Sequence, residues 1–142
     1  MKAIKKNADF TAFIDSNGES LVLFDKEGCA IKDDLFLSLT ALIIFKSMPG
    51  AKVVVPITAP SIIEDLAAKY GGKVVRTKTS SQAVMEQMLS FNLLKDRQRE
   101  NMAQFLLNFD AFAGLCKIIE YLCLFNTTLT DCGKGNTRFL CE

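Results

Sequence analysis

The chain has 142 residues, 49% of them hydrophobic, a formal net charge of +1 and no histidine. One domain with room for an appended hairpin is the natural expectation at this length, and it can bury enough surface to fold without a metal or a disulfide. Near-neutral charge argues against nucleic acid and anionic lipid as partners, and the missing histidine removes the commonest acid–base group and zinc ligand.

Residues 1–7, MKAIKKN, are polar and basic, and read as an expression start or the stub of a severed linker. Phe10 to Ile14 reads as a short strand, Asp15-Ser16-Asn17-Gly18 as a turn, and Leu21 to Asp25 as the returning strand. Lys26-Glu27-Gly28 is a second turn, and Cys29-Ala30-Ile31 a brief third strand, which completes a β-meander.

Asp33 and Asp34 are suited to cap a helix from Leu35 to Met48. Its apolar residues lie nearly all round, so it should be buried between layers, and Pro49-Gly50 stops it. The stretch from Leu35 to Phe45 is interrupted by Ser38 and Thr40 and is too short to span a membrane.

Residues 52–78 follow with almost no spare residues. Val53, Val54, Val55 and Ile57 suggest a strand covered on both faces. Ser61 and Glu64 have the spacing of a capping box after Pro60. Ile62, Ile63, Leu66, Ala67 and Tyr70 give the helix at 61–70 one face to bury, and Gly71-Gly72 can end it in the left-handed conformation. A second strand at 73–78 completes a βαβ unit, which predicts parallel strands with a right-handed crossover.

Thr79 and Gln82 suggest another capping box, opening a helix to about Leu94 with Val84, Met85, Met88 and Leu89 as its stripe. Residues 95–101, KDRQREN, read as a charged break, a solvated loop or helix face. A last helix is expected from near Asn108 to Phe125, with Phe112, Leu115, Cys116, Ile119, Leu122 and Cys123 facing inward. Gly133-Lys134-Gly135 then reads as a turn, and Thr137 to Cys141 as a closing edge strand. The five scattered cysteines form neither a disulfide framework nor a metal knuckle, and are expected to be buried or idle thiols in a reducing cytoplasm. Cys116 and Cys123, seven apart on one helix, are too far apart to bridge.

The run Val53–Pro60, V-V-V-P-I-T-A-P, with Ala68-Lys69-Tyr70-Gly71-Gly72-Lys73-Val74-Val75-Arg76-Thr77-Lys78, resembles the third domain of the α-D-phosphohexomutases, the phosphoglucomutase and phosphomannomutase enzymes. The likeness is to a branch fused behind sugar-1-phosphate nucleotidyltransferase domains. It covers about residues 8–130, including Phe109-Asp110-Ala111 and Lys117-Ile118-Ile119-Glu120, which look like the family's last helix. The fold it implies is α/β: a three-layer α/β/α domain at 33–142 with a mixed, partly parallel sheet. A β-meander at 1–32, resembling the end of the family's second domain, precedes it.

Three stretches are candidates for chemistry. Asp15-Ser16-Asn17-Gly18-Glu19-Ser20 stands where the family's D-x-D-G-D-R loop binds magnesium. Asp15 matches, but Asn17 and Glu19 replace aspartates and Ser20 replaces arginine. Magnesium prefers a compact shell of anionic oxygens, so Asp15, Asn17 and Glu19 are expected to form a vestigial loop, with Mg2+ possible and no cofactor required. Arg76, Thr77, Lys78 and Thr79 end a parallel strand ahead of a helix N-terminus, where an anion such as phosphate is favoured. The third stretch, Arg99–Phe105, stands where the family's G-E-x-S-G-H loop holds the sugar hydroxyls, and it lacks that motif.

The family's phosphoserine loop belongs to its first domain and is absent from this chain, which leaves no covalent route for phosphoryl transfer. The resemblance therefore implies a phosphohexomutase-like domain of a nucleotidyltransferase or phosphomannomutase-type protein. It is expected to be non-catalytic alone, in cytoplasmic nucleotide-sugar metabolism. The alternative is a fragment of an active magnesium-dependent mutase. Implied partners are the rest of the same polypeptide and a sugar phosphate, with a homo-oligomer possible.

Overall fold

The computed structural model describes residues 8–92 and 98–129. A hairpin opens the chain: β1 (Phe10–Ile14) pairs antiparallel with β2 (Leu21–Asp25), Ala12 opposite Leu23. The expected third strand of the meander reduces to a single bridge between Phe24 and Ala30, flanked by the Ile31 N–H donating to the Leu23 carbonyl at 2.8 Å. Asp25 is buried and makes this turn rigid, since its Oδ1 accepts from the backbone N–H groups of Glu27 and Cys29, each at 2.9 Å.

The helix α1 (Asp33–Ser47) is the central pillar. Every residue from Ser38 to Phe45 is buried, as an all-round apolar pattern requires. The two hydroxyls in that run are satisfied within the helix: Ser38 donates to the Asp34 carbonyl at 2.8 Å and Thr40 to the Leu37 carbonyl at 2.9 Å. The expected caps Asp33 and Asp34 instead lie inside the first turn. Lys32 takes the cap position without a side-chain bond, so the two carboxylates act there through the helix dipole.

Next come β3 (Lys52–Pro56), α2 (Ile62–Lys69) and β4 (Lys73–Thr77). β3 and β4 are parallel neighbours in the register Val53–Val74, Val54–Val75 and Val55–Arg76, as the βαβ pattern predicts. Val53 and Val55 turn to one face, into a core shared with Leu39, Leu42, Phe45, Ile63 and Leu66. Val54 turns to the other, against Val84 and Met88 of α3 (Ser81–Asn92) with Phe109 packed alongside. Helices on both faces of the parallel pair make the three layers. Leu23 and Ile31 belong to the same core as α1, so the hairpin and the α/β body are packed as one.

Gly71 and Gly72 are both required, for different reasons. Gly71 has φ +68°, the expected left-handed helix stop. A Cβ on Gly72 would lie 2.8 Å from the Ala51 carbonyl oxygen and within 2.7 Å of the Phe45 ring, so this glycine permits the close approach of strand to pillar.

Several expectations are corrected. Ile57 lies beyond the strand and is 67% exposed rather than covered on both faces. Leu89 of the α3 stripe is also exposed, while Val84 and Met88 carry its packing. Of the charged run read as a solvated loop or helix face, residues 98–101 are helical, within α4 (Gln98–Phe109). The last helix, α5 (Ala111–Leu124), starts at a cap on Asp110, whose carboxylate accepts from the Ala113 N–H at 2.9 Å.

The inner face of α5 is formed by Ala111, Gly114, Ile118, Tyr121 and Leu122, whereas Phe112, Cys116, Ile119 and Cys123 are exposed. The helix is turned because Gly114 admits α4: a Cβ there would sit 3.2 Å from the Leu107 carbonyl oxygen. Cys29 is exposed as well, so the three described cysteines are surface thiols rather than buried ones. The expected turn at 133–135, the closing strand at 137–141 and residues 1–7 and 95–97 lie outside the described residues.

Candidate functional site

The carboxyl ends of β3 and β4 form the rim where an open α/β sheet binds ligands. Arg76 sits on β4 there, pointing to the α2 side. Each of its three guanidinium nitrogens makes at least one bond. Nε meets Glu64 Oε1 at 2.8 Å and Nη2 meets Glu64 Oε2 at 3.0 Å, a bidentate pair. Nη1 donates to the carbonyls of Ile57 at 2.8 Å and Ala59 at 2.9 Å. Arg76 therefore fastens the β3–α2 loop, and each of its nitrogens already has an acceptor.

The same pairing explains a missing capping box. Glu64 is turned toward Arg76, and Ser61, at the cap position of α2, makes no side-chain cap bond. Ahead of α3 the expected Thr79–Gln82 pair is replaced too. Ser80 Oγ accepts from the Ala83 N–H at 3.2 Å, and Gln82 turns along the helix to Glu86 at 2.8 Å. Lys78, Thr79 and Ser81 are exposed beside this helix start. Arg76, Thr77, Lys78 and Thr79 follow one another along this rim; Arg76 and Lys78 are both at the surface, and the Arg76 guanidinium is bonded to Glu64 and the β3–α2 loop.

The hairpin turn at 15–20 lies elsewhere, against the start of α5, where the Ala111 N–H donates to the Gly18 carbonyl at 2.9 Å. Asp15 Oδ1 accepts from the backbone N–H groups of Glu19 at 2.8 Å and Ser20 at 3.0 Å. The Ser20 backbone bond is the largest influence holding this carboxyl below its usual range; partial desolvation opposes it, and the Glu19 and Gly18 N–H groups reinforce it. One oxygen of this carboxylate is thus already an acceptor for the turn itself. Among the described residues no group of three or more His, Cys, Asp or Glu side chains converges. This donor set does not fit a tight magnesium site.

The third stretch differs most from expectation. Residues 99–105 form helix rather than loop, within α4. Gln104 is 1% exposed, and its amide pairs with the backbone of one residue of β3. Oε1 accepts from the Val54 N–H at 3.0 Å and Nε2 donates to the Val54 carbonyl at 2.5 Å. The pairing of Glu64 with Arg76 and of Gln104 with Val54 was not anticipated from the sequence, because each partner is distant in the chain.

Two hollows of about 330 Å³ each lie away from the rim, one beside Asp25, Ile31 and Leu35, the other beside Phe10, Ile119 and Leu122. Neither is lined by Asp15, Arg76 or Lys78. No helix of the described residues is long and apolar enough to cross a membrane.

Comparison with known proteins gives this geometry a context. Residues 32–95 match the family model for phosphoglucomutase/phosphomannomutase, alpha/beta/alpha domain III. A phosphomannomutase of Methanocaldococcus jannaschii is 25% identical over 89 residues, 62% of this chain and 20% of that protein. A phosphoglucomutase/phosphomannomutase of Thermococcus kodakarensis is 29% identical over 85 residues, 60% of this chain and 19% of that protein.

The crystal structure of an N-acetylglucosamine-phosphate mutase in the apo form, a member of the α-D-phosphohexomutase superfamily, matches with a TM-score of 0.59 and 13% identity. That match covers 92% of this chain and 39% of the enzyme chain, and it is a likeness of fold. The comparisons support the α-D-phosphohexomutase superfamily, with a domain III-like α/β/α segment. The chain spans about a fifth of the length of the curated relatives it matches.

Proposed function

We propose that this chain is a non-catalytic phosphohexomutase domain III-like unit of a larger protein that handles sugar phosphates. The observation that carries the reading is α4. Where the resemblance places the loop that holds the sugar hydroxyls, residues 99–105 are helical and Gln104 is turned inward onto β3. A group committed to the sheet offers nothing to a substrate, and catalysis by positioned polar groups needs those groups aimed at the reacting atoms.

The larger context is that of a sugar-1-phosphate nucleotidyltransferase or phosphomannomutase-type protein of cytoplasmic nucleotide-sugar metabolism. The rest of that polypeptide is the principal partner. Contact with a phosphate group is weak and uses Lys78 and Thr79 at the rim, since the guanidinium of Arg76 is held by Glu64. Magnesium is not bound tightly, for want of carboxylates around Asp15. Isothermal titration calorimetry of the chain with magnesium chloride, and then with glucose 1-phosphate or mannose 1-phosphate, tests the reading. The expected result is no saturable magnesium heat and at most millimolar sugar-phosphate binding. Micromolar magnesium binding that is lost in Asp15→Ala would favour the alternative, a fragment of an active magnesium-dependent mutase.

A further inference from the structure

Asp25 is 3% exposed, and the turn it closes uses one oxygen of its carboxylate. Oδ1 accepts from the N–H groups of Glu27 and Cys29, each at 2.9 Å. Oδ2 meets no donor among the described residues, and no lysine or arginine there pairs with the group. A buried charge left without a donor is costly, and an ion, a ligand or water is its ordinary complement.

The hollow of about 330 Å³ beside Asp25 supplies the space. That volume lies at the lower end of the range for small-molecule sites. Asp25 and Ile31 are its buried lining and Leu35 is half-buried, while Cys29, Lys32 and Asp34 around them are exposed. The hollow is therefore reached from solvent. Its charge selects what enters. Lys32 and Asp34 offset each other, which leaves the single negative charge of Asp25. The start of α1 borders the hollow too, and its free N–H groups favour an anion. Asp33 and Asp34 already stand in that first turn and answer them.

We propose that this hollow binds a small organic cation, a primary alkylammonium, with Asp25 Oδ2 accepting one of its N–H groups. A charge-assisted bond supplies the donor that the turn leaves out, and Ile31 and Leu35 give the alkyl part an apolar wall. Water also donates, but it leaves the carboxylate without a counter-charge.

The test follows backbone amides by NMR as n-propylammonium chloride is added to the whole chain. Two controls separate charge from hydrogen bonding. Tetramethylammonium has the charge without an N–H, and n-propanol has a donor without the charge. Saturable shifts are expected at Cys29, Ala30, Ile31 and Lys32 with propylammonium alone. A dissociation constant of about 1–10 mM is within reach of a ligand this small.

Asp25→Asn keeps the acceptor for Glu27 and Cys29 and puts an amide donor in place of Oδ2. It should therefore fold and weaken binding by about tenfold or more. Lys32→Ala removes a like charge from the mouth and should tighten binding about threefold. Lys32 makes no side-chain cap bond, so this variant leaves α1 intact. Absence of saturable shifts, equal shifts with either control, or unchanged binding in Asp25→Asn would overturn the proposal. If Asp25→Asn does not fold, Lys32→Ala decides: binding no tighter than the wild type's overturns it.

Discussion

Glu64 and Arg76, twelve positions apart in the chain, meet through two parallel N–H to oxygen bonds of 2.8 and 3.0 Å. The pair sits at the carboxyl end of the sheet, where sequence spacing alone suggests a free cation awaiting phosphate. Its structural role follows from what the third guanidinium nitrogen does. By donating to Ile57 and Ala59, Arg76 satisfies carbonyls of a loop that has no strand to pair with.

Removing that guanidinium should therefore show first in stability. Arg76→Met is expected to cost about 1–2 kcal/mol in urea unfolding, combining a modest ion pair with the loss of charged donors to two carbonyls. The figure is kept low because the side chains of Arg76 and Glu64 are 30% and 42% exposed and so partly screened. Glu64→Gln should cost less, about 0.5 kcal/mol, since an amide still accepts one bond. Phosphate titration of Arg76→Met by NMR should leave the shifts of Lys78, Thr79 and residues 80–82 in place.

Gly72 gives a larger expected effect. Gly72→Ala drives a methyl into the Phe45 ring and the Ala51 carbonyl, and should destabilise by about 2–3 kcal/mol through overpacking. Adding Phe45→Leu should recover part of that loss, because the ring supplies the nearest atoms. Denaturant midpoints of the two single variants and the double variant measure the coupling.

The βαβ unit could be read from the sequence because its determinants are local. Three consecutive valines, a helix with one apolar face and a Gly-Gly stop each specify a conformation within a few residues. Outside that unit the sequence was least legible at α4. Leu107 is buried there, but the position one turn before it is Gln104, a polar residue in the core that interrupts the apolar stripe. With a charged segment just ahead of it, the pattern reads as a break.

Capping was misread for a related reason. S-x-x-E spacing marks Ser61 and Glu64 as reciprocal partners, but a bidentate arginine is a stronger claimant for the carboxylate. The candidate loop at 15–20 was legible as a turn. That Asp15 turns an oxygen back onto Glu19 and Ser20 is a matter of backbone path, which residue types do not encode.

The acid limb of the stability curve should report that turn. The Asp15 carboxyl is held below its ordinary value of 3.8 in the folded chain, first by the Ser20 N–H. A depressed folded pKa contributes stability that is present above the unfolded value and is lost as pH falls through the folded one. Asp15→Asn should thus narrow the stability difference between pH 6 and pH 2.5 relative to the wild type. Urea midpoints at the two pH values check it; an unchanged difference would show that the turn does not hold the charged carboxylate.

The cap of α5 is a separate, simpler case. Asp110→Ala removes the acceptor for the Ala113 N–H and should cost about 1 kcal/mol, with Asp110→Asn nearly neutral. Because the neighbouring Ala111 N–H holds Gly18, the same variant should also loosen amide protection in the 15–20 turn, which hydrogen exchange will resolve.

Turnover is the most direct measure of the account. The purified chain is assayed for conversion of glucose 1-phosphate and of mannose 1-phosphate, with magnesium and a hexose bisphosphate activator, in a coupled assay of the 6-phosphate products. The account predicts no turnover above the enzyme-free rate, because the chain carries no phosphoserine loop and its 99–105 segment is committed to α4. Turnover that scales with the chain's concentration and is abolished by Asp15→Ala would contradict it.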